Sequence, residues 1–599
     1  MVNMDYNSHI YQQELHSLYR QIADFTKENK AGEQAEGLLE NPHITRLIQS
    51  FGVLASNLTL MLDEASSQSI RALFDILYPH YNRHIPSIAM ISISLNQKHE
   101  ACLSIPKGKL IEMESEIENG TKSIYKFHIC YDSYIVPLKI DSVSCESEQE
   151  AEESKIFGTS LNIQFSTLSK APLTKIGLKK LRLLIKGLGN EHYLIYHYIM
   201  TNLVSIIIRC PTKHSNFVEL NKHCIKKVGF EEHENVLPYP FNSFLGYRLI
   251  TEFFIFPEKF LFFDLALEEI DLSQFHNSIE ICFGFKDKQL EGIVSKDSFI
   301  LNAIPIINLC EMESDPIQID PFLFSYPVVI DKKNAENYEV YSIEDVKVGI
   351  NNQEISARKL FDLRYDEETG NKDFWYLTKN RYGLDSNKHR ELQFISIVDR
   401  QGHLLSRAKL PKYFYIKSLC SNGNLPNTFY ISQKSEFRFL ETAIPVSKIE
   451  CITSPTPKHI IGKNINYKWR LTAHLSLNYL NIVNNTNGKE LLKEVLSIYS
   501  DNRKLSQLLI NSIVDVKVLE DTCRMRTLWA SQFYKGHSIE IYFDLNHLPK
   551  GLIGLFLNVL EHFFAMYCSL NSFIKLVAKD EEGNLIYEGI PRNGSKCLI

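Results

Sequence analysis

The sequence predicts a multidomain α+β protein, in which an N-terminal helical segment is followed by mixed β-rich and α/β domains. Apolar residues recur with a helical period through residues 44–77, and a period-two alternation begins at residue 88. Helical and strand patterns then alternate from residue 458 onward. A chain of 599 residues suits about four domains of ordinary size. We predict the domains to be 1–86, 87–270, 271–452 and 453–599.

The N-terminal segment, residues 5–80, is predicted to be helical and to need partner helices. Asn41 can cap a helix whose first position is Pro42, and Pro79 ends the helical pattern. The segment carries one apolar stripe, but its other faces hold too few large apolar residues for a core of its own. We therefore expect a bundle with helices of a partner protein. The partner-binding candidates in this segment are Leu47, Phe51, Leu54, Leu58 and Tyr78.

The second predicted domain, 87–270, is β-rich. Ile91, Ile93 and Leu95 alternate with serines, which is typical of a strand with one buried face. The other elements predicted here are strands at 161–165, 181–186 and 203–208 and a helix at 191–200.

The same domain ends in an aromatic hub at residues 237–265, a stretch dense in Phe and Tyr. Prolines interrupt the hub, so we predict a short helix or strand over 246–256 and a buried strand over 260–265. A packed core is the plainer interpretation, because aromatic side chains bury large areas. The sharper interpretation is a hub that also contacts partners, with Tyr247 and Arg248 as the candidates.

The third predicted domain, 271–452, is mixed β, with strands at 278–285, 299–309, 338–348 and 392–399. Residues 362–391 are polar and include a charged loop. Thr453–Pro457 is rich in Thr and Pro and is interpreted as a linker before the last domain.

The last predicted domain, 453–599, is α/β and is the proposed region of self-association. Its helix at 550–570 has an apolar face, and the partner-binding candidates on that face are Leu555 and Val559. The other elements predicted in this domain are helices at 471–480 and 490–499, a strand at 538–544 and a hairpin at 573–587.

Composition excludes several classes of protein. The net charge of −6 provides no basic field for nucleic acid or acidic lipid. The N-terminus lacks the pattern of an export signal, and the longest apolar stretch, 552–570, is interrupted by Asn558, Glu561 and His562. We therefore expect a soluble cytoplasmic protein that does not insert into a membrane. Its scattered cysteines are expected to be reduced.

No motif of an active site is found. There is no phosphate-binding GxxxxGK[ST] and no GxSxG, and the glycines at 187 and 189 lack the third of a dinucleotide motif. His80 and His84 have the spacing of a helical zinc pair, but flanking prolines argue against the helix. A hydrolase or transferase built on Cys420, His474 or His537 stays a weaker alternative that would require these residues to converge. We predict no catalytic, cofactor-binding or metal-binding residue.

A set of short motifs is distributed along the chain. It includes Asn41-Pro42-His43, Leu77-Tyr78-Pro79-His80-Tyr81 with Pro86-Ser87, Gly246-Tyr247-Arg248-Leu249, Phe256-Pro257-Glu258-Lys259-Phe260, Trp469-Arg470-Leu471 and His474-Leu475-Ser476-Leu477-Asn478-Tyr479-Leu480. Together these stretches resemble one known family, the TssF baseplate subunits of bacterial type VI secretion systems. The resemblance extends over essentially the whole chain.

The resemblance implies a structural wedge protein that scaffolds assembly of a contractile sheath and spike, without enzymatic activity or cofactor. It implies two copies of this chain on one TssG, and contacts with TssE, TssK, the VgrG spike hub and the TssB–TssC sheath. It implies no nucleic-acid partner. It places the protein in the cytoplasm, docked at the inner membrane through the baseplate and the membrane complex. The alternative is the equivalent wedge protein of a phage or phage-derived contractile device.

The implied pair of copies leads to one further expectation. A single TssG chain without an internal repeat cannot offer both copies the same surface, so the copies should differ by a hinge rotation. The candidate hinges are 79–86 and 453–457. Contact between copies is expected in the C-terminal half of the chain.

Overall fold

The structure is a computed structural model. It describes residue 12 and residues 79–594, except for 117–121, 148–157, 170, 188, 212, 240–243, 269, 287–289, 291, 351–352, 361–373, 383–390, 407–409, 433–434, 441–443, 461–487, 501–502, 527–530, 547 and 569–571. The chain divides into two compact units, residues 1–78 with 466–468, and residues 79–465 with 469–599. The predicted N-terminal helices and the predicted helix at 471–480 lie outside the described residues.

The described part of the second unit is mainly β-structure. Its strands are β1 His84–Ile85, β2 Ile88–Leu95, β3 Leu103–Ile105, β4 Leu110–Glu116, β5 Lys122–Ile129, β6 Ser133–Ile135, β7 Leu138–Ser147, β8 Thr159–Thr167, β9 Lys180–Ile185, β10 Leu203–Cys210, β11 Lys213–Leu220, β12 Ile225–Lys227, β13 Phe262–Ala266, β14 Ser278–Phe285, β15 Phe299–Leu301, β16 Ala303–Ile307, β17 Cys310–Glu313, β18 Ile317–Gln318, β19 Tyr326–Pro327, β20 Glu339–Ile350, β21 Gln353–Lys359, β22 Trp375–Tyr382, β23 Glu391–Val398, β24 Tyr413–Ser421, β25 Ser435–Phe439, β26 Val446–Thr453, β27 His459–Ile460, β28 Ile513–Arg526, β29 Ser531–Phe543, β30 Ser572–Asp580, β31 Leu585–Glu588 and β32 Arg592–Asn593.

The described α-helices are few and mostly short. They are α1 Pro79–Asn82, α2 Leu173–Ile176, α3 Glu191–Thr201, α4 Leu245–Ile255, α5 Leu425–Ser432, α6 Gly488–Tyr499, α7 Lys504–Asn511 and α8 Lys550–Met566. The α+β class predicted from the sequence is thus confirmed for the described residues, while a helical bundle at the N-terminus stays a prediction.

The first large sheet joins distant parts of the chain, in the order β25-β4-β5-β16-β2-β26. Its core is aliphatic and aromatic, with Ile91, Phe127 and Ile306 fully buried. Strand β16 pairs with β2, so strands from both sides of the predicted boundary at 270 share one sheet. Strand β2 also pairs with β26, which lies much later in the chain. The four-domain division was made from local patterns and stays a prediction.

Two smaller sheets surround the aromatic hub, with the orders β11-β10-β14-β8-β7 and β12-β13-β9-β15. Phe263 of β13 meets Phe283 of β14 edge to face, with ring centroids 6.1 Å apart. Both rings are fully buried. Strand β13 of the hub thus packs against the five-stranded sheet.

An eight-stranded sheet follows, in the order β17-β24-β20-β21-β22-β23-β19, with β18 also paired to β24. Strand β22 lies inside the stretch 362–391, which the polar sequence pattern did not mark as a strand. Tyr376 is buried in the core of this sheet, whereas its strand neighbours Lys379 and Arg381 interrupt the apolar alternation. That mixture explains why local periodicity missed the strand.

The C-terminal sheet has the order β28-β29-β30-β31, with β32 also on β30. Strands β29 and β30 are parallel, in a register from Lys535 opposite Ser572 to Phe543 opposite Asp580. Parallel neighbours need a crossover connection, and α8 supplies it. Phe556 of α8 contacts Phe253 of α4 at 5.4 Å between ring centroids. This helix therefore connects the C-terminal sheet to the aromatic hub.

Most strongly periodic segments are confirmed. The predicted helices at 191–200, 490–499 and 550–570 correspond to α3, α6 and α8, and the predicted strand at 278–285 is β14. The ambiguous stretch 246–256 is a helix, α4. Pro257 directly follows this stretch, and a proline disfavours helix in the residue before it.

Two predictions are corrected. The strand expected over 299–309 is broken at Asn302, which has a φ of 55° and whose side chain exchanges two hydrogen bonds with the backbone of Val136, both 2.9 Å. The stretch Thr453–Pro457 is not a free linker, because Thr453 and Thr456 accept hydrogen bonds from the backbone N–H groups of Met90 and Ile88. Side-chain hydroxyls here extend the pairing of strand β2.

The other proposed hinge, residues 79–86, contains strand β1, which pairs with another strand of the second unit. His84 lies opposite Ile460 and Ile85 opposite His459, so that β1 and β27 form a two-stranded ribbon. His84 Nε2 is 2.6 Å from Ser421 Oγ. Rotation at this point would have to break these bonds.

Candidate partner-binding residues and the buried charge clusters

Helix α4 holds two of the predicted partner-binding residues, and both are buried within the chain. Tyr247 is 3% exposed and Arg248 is 1% exposed. The ring of Tyr247 stacks on Tyr499 at 5.1 Å and its hydroxyl accepts a hydrogen bond from Tyr567 at 2.8 Å. Both side chains therefore pack within this chain, and their role in partner binding stays a prediction.

Arg248 belongs to a group of charged side chains that we call the hub cluster, in which Arg182 is half-buried and the others are buried: Arg182, Glu234, Arg248, Glu252, Lys259 and Asp264. Arg248 donates to the backbone carbonyls of Glu231 and Glu232, both at 3.1 Å. The guanidinium thereby holds the loop that precedes the hub against α4. A buried cation is tolerated only where it is paired and hydrogen-bonded.

Glu252 is the centre of the hub cluster. One carboxylate oxygen accepts from the N–H groups of Val236 and Leu237, both at 2.9 Å. The other accepts from the ammonium of Lys259, which also donates to the carbonyl of Glu234 at 3.0 Å. The side chain of Glu252 thus joins α4, the loop at 234–237 and the turn after α4.

The electrostatics of this pair follow from burial and pairing. Burial alone would raise the pKa of Glu252, but Lys259 and Arg248 outweigh it, so the pKa lies below its ordinary value. Burial lowers the pKa of Lys259, and the carboxylate of Glu252 opposes that shift. The carboxylate of Glu252 and the ammonium of Lys259 therefore stabilise each other's charged form.

The outer part of the hub cluster is an arginine fork. Arg182 binds Asp264 through two hydrogen bonds, 2.6 Å from Nε and 2.7 Å from Nη2, and reaches Glu234 at 3.3 Å. The two parallel bonds match the planar guanidinium to the carboxylate. Arg182 and Asp264 stand opposite each other on β9 and β13, so this pair also secures the register of the hub sheet.

The two C-terminal candidates, Leu555 and Val559, are completely buried in α8. The helix packs closely on α3 because Gly551 lies against the backbone of Tyr193, where an added Cβ would come within 2.3 Å of the Tyr193 carbonyl carbon. The face carrying Leu555 and Val559 is therefore used inside the chain.

A second group of polar residues, which we call the C-terminal cluster, contains Lys227, Asn558, Glu561, Tyr587 and Arg592. Glu561 accepts hydrogen bonds from Tyr587 and Arg592, and Asn558 accepts one from Lys227. Next to them His562 stacks on Phe230 at 4.3 Å, and burial lowers the pKa of His562 to about 4. This cluster connects α8 to β12 and to the last strands.

Those of the remaining candidates that the structure describes do not converge on one site. His80 and His84 have separate hydrogen-bond partners, since His80 Nε2 is 3.0 Å from the hydroxyl of Tyr239 and His84 bonds to Ser421. Cys420 is buried in β24, and burial raises the pKa of its thiol to about 12. His537 lies on β29 in a different sheet, and His474 lies outside the described residues.

The described residues contain no group of three or more His, Cys, Asp or Glu side chains that could hold a metal ion. Within the same residues, every helix is too short or too polar to span a bilayer. Leu47, Phe51, Leu54, Leu58 and Tyr78 lie outside the described residues, so the structure does not place them.

Sequence reasoning missed the hub cluster as a unit. One signal was present, because Arg248, Glu252 and Lys259 interrupt an otherwise apolar and aromatic stretch. Charged residues in such a stretch are buried only when they are paired. Nothing in the sequence indicated that Glu234 and Arg182 would join them.

The comparisons with known proteins agree over the length of the chain. The family model described as "Type VI secretion system, TssF" matches residues 4–596. The type VI secretion system component TssF1 of Pseudomonas aeruginosa is 25% identical over 615 aligned residues, covering 98% of each chain.

Two solved structures share the fold. A chain of the TssK-TssF-TssG baseplate subcomplex, solved by cryo-electron microscopy, has a TM-score of 0.75 at 20% identity and covers 93% of this chain and 99% of its own. A chain of the baseplate complex from the type VI secretion system has a TM-score of 0.58 at 18% identity and covers 98% and 100%. The full-length family match confirms the resemblance stated from the sequence: this chain belongs to the TssF family of type VI secretion system proteins.

Proposed function

We propose that this chain is a structural component of a type VI secretion baseplate, in which it acts as a wedge protein. The observation that carries this function is the family match over residues 4–596. The fold shared with a chain of a TssK-TssF-TssG baseplate subcomplex supports it. The chain scaffolds the assembly of the sheath and the spike.

The chain does not work as an enzyme. Support comes from its buried charges, which are engaged in structural contacts. Glu252 binds two backbone N–H groups and Lys259, and Glu561 binds Tyr587 and Arg592. A general acid or base needs access to substrate and a pKa near the working pH. Buried carboxylates that are engaged in these contacts do not offer a substrate such access.

The proposed partners divide between the two ends of the chain. The N-terminal segment, through Leu47, Phe51, Leu54, Leu58 and Tyr78, binds TssG, with two copies of this chain per TssG. The assembled wedge contacts TssE, TssK, the VgrG spike hub and the TssB–TssC sheath. It lies in the cytoplasm and docks at the inner membrane through the baseplate and the membrane complex.

Self-association uses the C-terminal half. Leu555 and Val559 are buried in α8, so they do not contact another copy directly. The contact between copies is formed instead by strands of the C-terminal sheet. Among these, β28 carries the exposed Leu519 and β29 the exposed Phe533. The two candidate leucine and valine residues then support this surface from within.

The N-terminal proposal is tested by co-expression with TssG. The double substitution Leu47→Asp and Phe51→Asp introduces charges into the predicted apolar stripe, where burial without a partner is costly. We expect the variant to lose co-purification with TssG, and the mass of the complex to fall to that of the separate chains.

The matched control is Gln12→Asp, which adds one charge at an exposed helical residue of the same segment. This variant should keep TssG at the unaltered ratio. Co-purification of the double variant at the same ratio as the control would contradict the proposal. Unchanged proteolysis of residues 79–594 shows that the rest of the chain is folded.

A further inference from the structure

The connection between β18 and β19 carries three consecutive exposed apolar side chains, which we call the apolar tip. Phe322 is 73% exposed, Leu323 56% and Phe324 66%. Among the described residues no other exposed large apolar side chains are consecutive. Isolated exposed apolar residues are ordinary, whereas a contiguous group indicates an interaction site.

The backbone under the apolar tip is held in one conformation. The hydroxyl of Tyr326 accepts from the N–H of Asp320 at 2.9 Å and donates to its carbonyl at 2.8 Å. The N–H of Leu323 bonds to the Asp320 carbonyl at 3.1 Å, closing a turn, and the Asp320 carboxylate accepts from the N–H of Phe322 at 2.9 Å. Tyr326 is buried and packs edge to face on Phe414, 5.5 Å away.

The two ends of the connection are also fixed, because they belong to opposite edges of the eight-stranded sheet. Strand β18 pairs with β24 and β19 pairs with β23. In a flat sheet these edges would stand about 29 Å apart, at ~4.8 Å per strand. A segment that contains a tight turn cannot span that distance, so the sheet must curl and bring these two edges closer together. A rigid protrusion loses little conformational freedom on binding.

The residues leading to the tip are acidic. Glu313, Asp315 and Asp320 are exposed, and the sequence has no Lys or Arg between residues 311 and 331. Glu311 in the same stretch pairs with Lys417 at 2.9 Å. The apolar tip therefore stands on a base of net negative charge, which favours a partner surface of opposite sign.

We propose that the apolar tip inserts into an apolar pocket rimmed by Lys and Arg on another protein of the baseplate. The inference rests on the proposed function for its setting and on the tip's own exposure, rigidity and charge for its partner. Leu323 and Phe324 provide the buried contact. Glu313 and Asp315 accelerate association and favour a basic rim.

The test uses the full chain co-expressed with TssG and TssK. The tip variant is Leu323→Ser with Phe324→Ser, and the control is Ile431→Ser with Leu440→Ser, two apolar residues that are also exposed. We expect the tip variant to bind the TssK–TssG probe at least tenfold more weakly than the control. Hydroxyl-radical footprinting should show the tip protected in the complex and reactive in the free chain.

Charge is tested separately. Glu313→Gln with Asp315→Asn should slow association at low salt and have no effect at high salt, where exposed charges are screened. If the charge variant and the unaltered chain associate at the same rate at low salt, the partner's pocket has no basic rim.

Three outcomes overturn the proposal. One is a difference of less than tenfold between the affinities of the tip variant and the control for the TssK–TssG probe. Another is equal reactivity of the tip towards hydroxyl radicals in the free and the assembled chain. The third is dimerisation of the isolated chain that disappears with the tip variant, which would assign the tip to a second copy. Failure of the unaltered chain to bind TssG and TssK would overturn the proposed function. Normal binding by the tip variant would overturn only the proposal about the apolar tip.

Discussion

The hub cluster and the C-terminal cluster show two ways of burying charge in one chain. The hub cluster is closed to solvent at its centre, where the side chains of Glu252 and Lys259 are 0% exposed. The C-terminal cluster opens at one side, since the side chain of Arg592 is 34% exposed while that of Glu561 is 3% exposed. The difference lies in how the charges are balanced.

In the hub cluster, three carboxylates match three cations, and backbone groups of residues 231–237 provide further hydrogen bonds. In the C-terminal cluster, Glu561 is the single carboxylate beside Lys227 and Arg592. The second cation is tolerated because Arg592 reaches solvent, where a charge keeps much of its hydration. A fully enclosed cluster should therefore fail more severely when one partner is removed.

The largest effect is expected for Glu252→Gln. This change leaves Lys259 and Arg248 without a counter-charge in a closed site, a loss on the order of 3–5 kcal/mol. Native-state hydrogen exchange of the α4 amides measures it as a faster local opening. The control is Glu268→Gln at an exposed position. Equal exchange in the two variants would mean that the cluster does not stabilise the hub.

A smaller effect is expected for Glu561→Gln. The amide can keep one hydrogen bond, and Arg592 can turn to water, so we expect a loss of about 2 kcal/mol. Exchange of the α8 amides is the measurement, with Glu582→Gln as the exposed control. A loss as large as that of Glu252→Gln would remove the distinction between the clusters.

The coupling of the central pair sharpens the comparison. Lys259→Met combined with Glu252→Gln removes both charges, so the double variant should be less destabilised than the sum of the single variants by about 1–3 kcal/mol. The double variant should still be less stable than the unaltered chain, because the N–H groups of Val236 and Leu237 lose their carboxylate. Additive effects would show that the two side chains act independently.

The smallest expected effect is the pH dependence of stability that His562, next to the C-terminal cluster, causes. The pKa of His562, about 4, lies below the ordinary value near 6.5, so between these values the unfolded chain binds more protons. Stability is therefore lost as the pH falls, and a single such group contributes about 1 kcal/mol between pH 7 and 5.5.

His562→Phe should remove that part of the acid sensitivity while keeping the stacking on Phe230. Thermal unfolding of the two chains at pH 7 and pH 5.5 gives the comparison. His233→Phe, at an exposed residue, should leave the acid sensitivity unchanged. An equal loss of stability in His562→Phe and the unaltered chain would contradict the assignment.

The sequence by itself determined the class of the protein and the type of its strongly periodic elements. Helices α3, α6 and α8 follow from the spacing of apolar residues, and the motifs around Gly246 and Pro257 indicated the family. These features are local, so they can be recognised without knowing which residues meet in space.

Only the tertiary structure decided which faces are buried and which side chains pair. Tyr247, Arg248, Leu555 and Val559 were candidates for partner contacts, yet the fold of this chain buries all four. The apolar face of α8 indicated burial without telling whether the covering surface belongs to this chain or to another. Apolar burial is not directional and leaves that choice to the rest of the fold.

Pairs in both clusters also join residues that are far apart in the sequence. Arg182 meets Asp264, and Lys227 meets Asn558, because sheet register and the crossover through α8 bring their backbones together. The apolar tip is the opposite case, since Phe322, Leu323 and Phe324 are apolar but exposed. The position of the tip depends on the pairing of β18 with β24 and of β19 with β23, which no local pattern specifies.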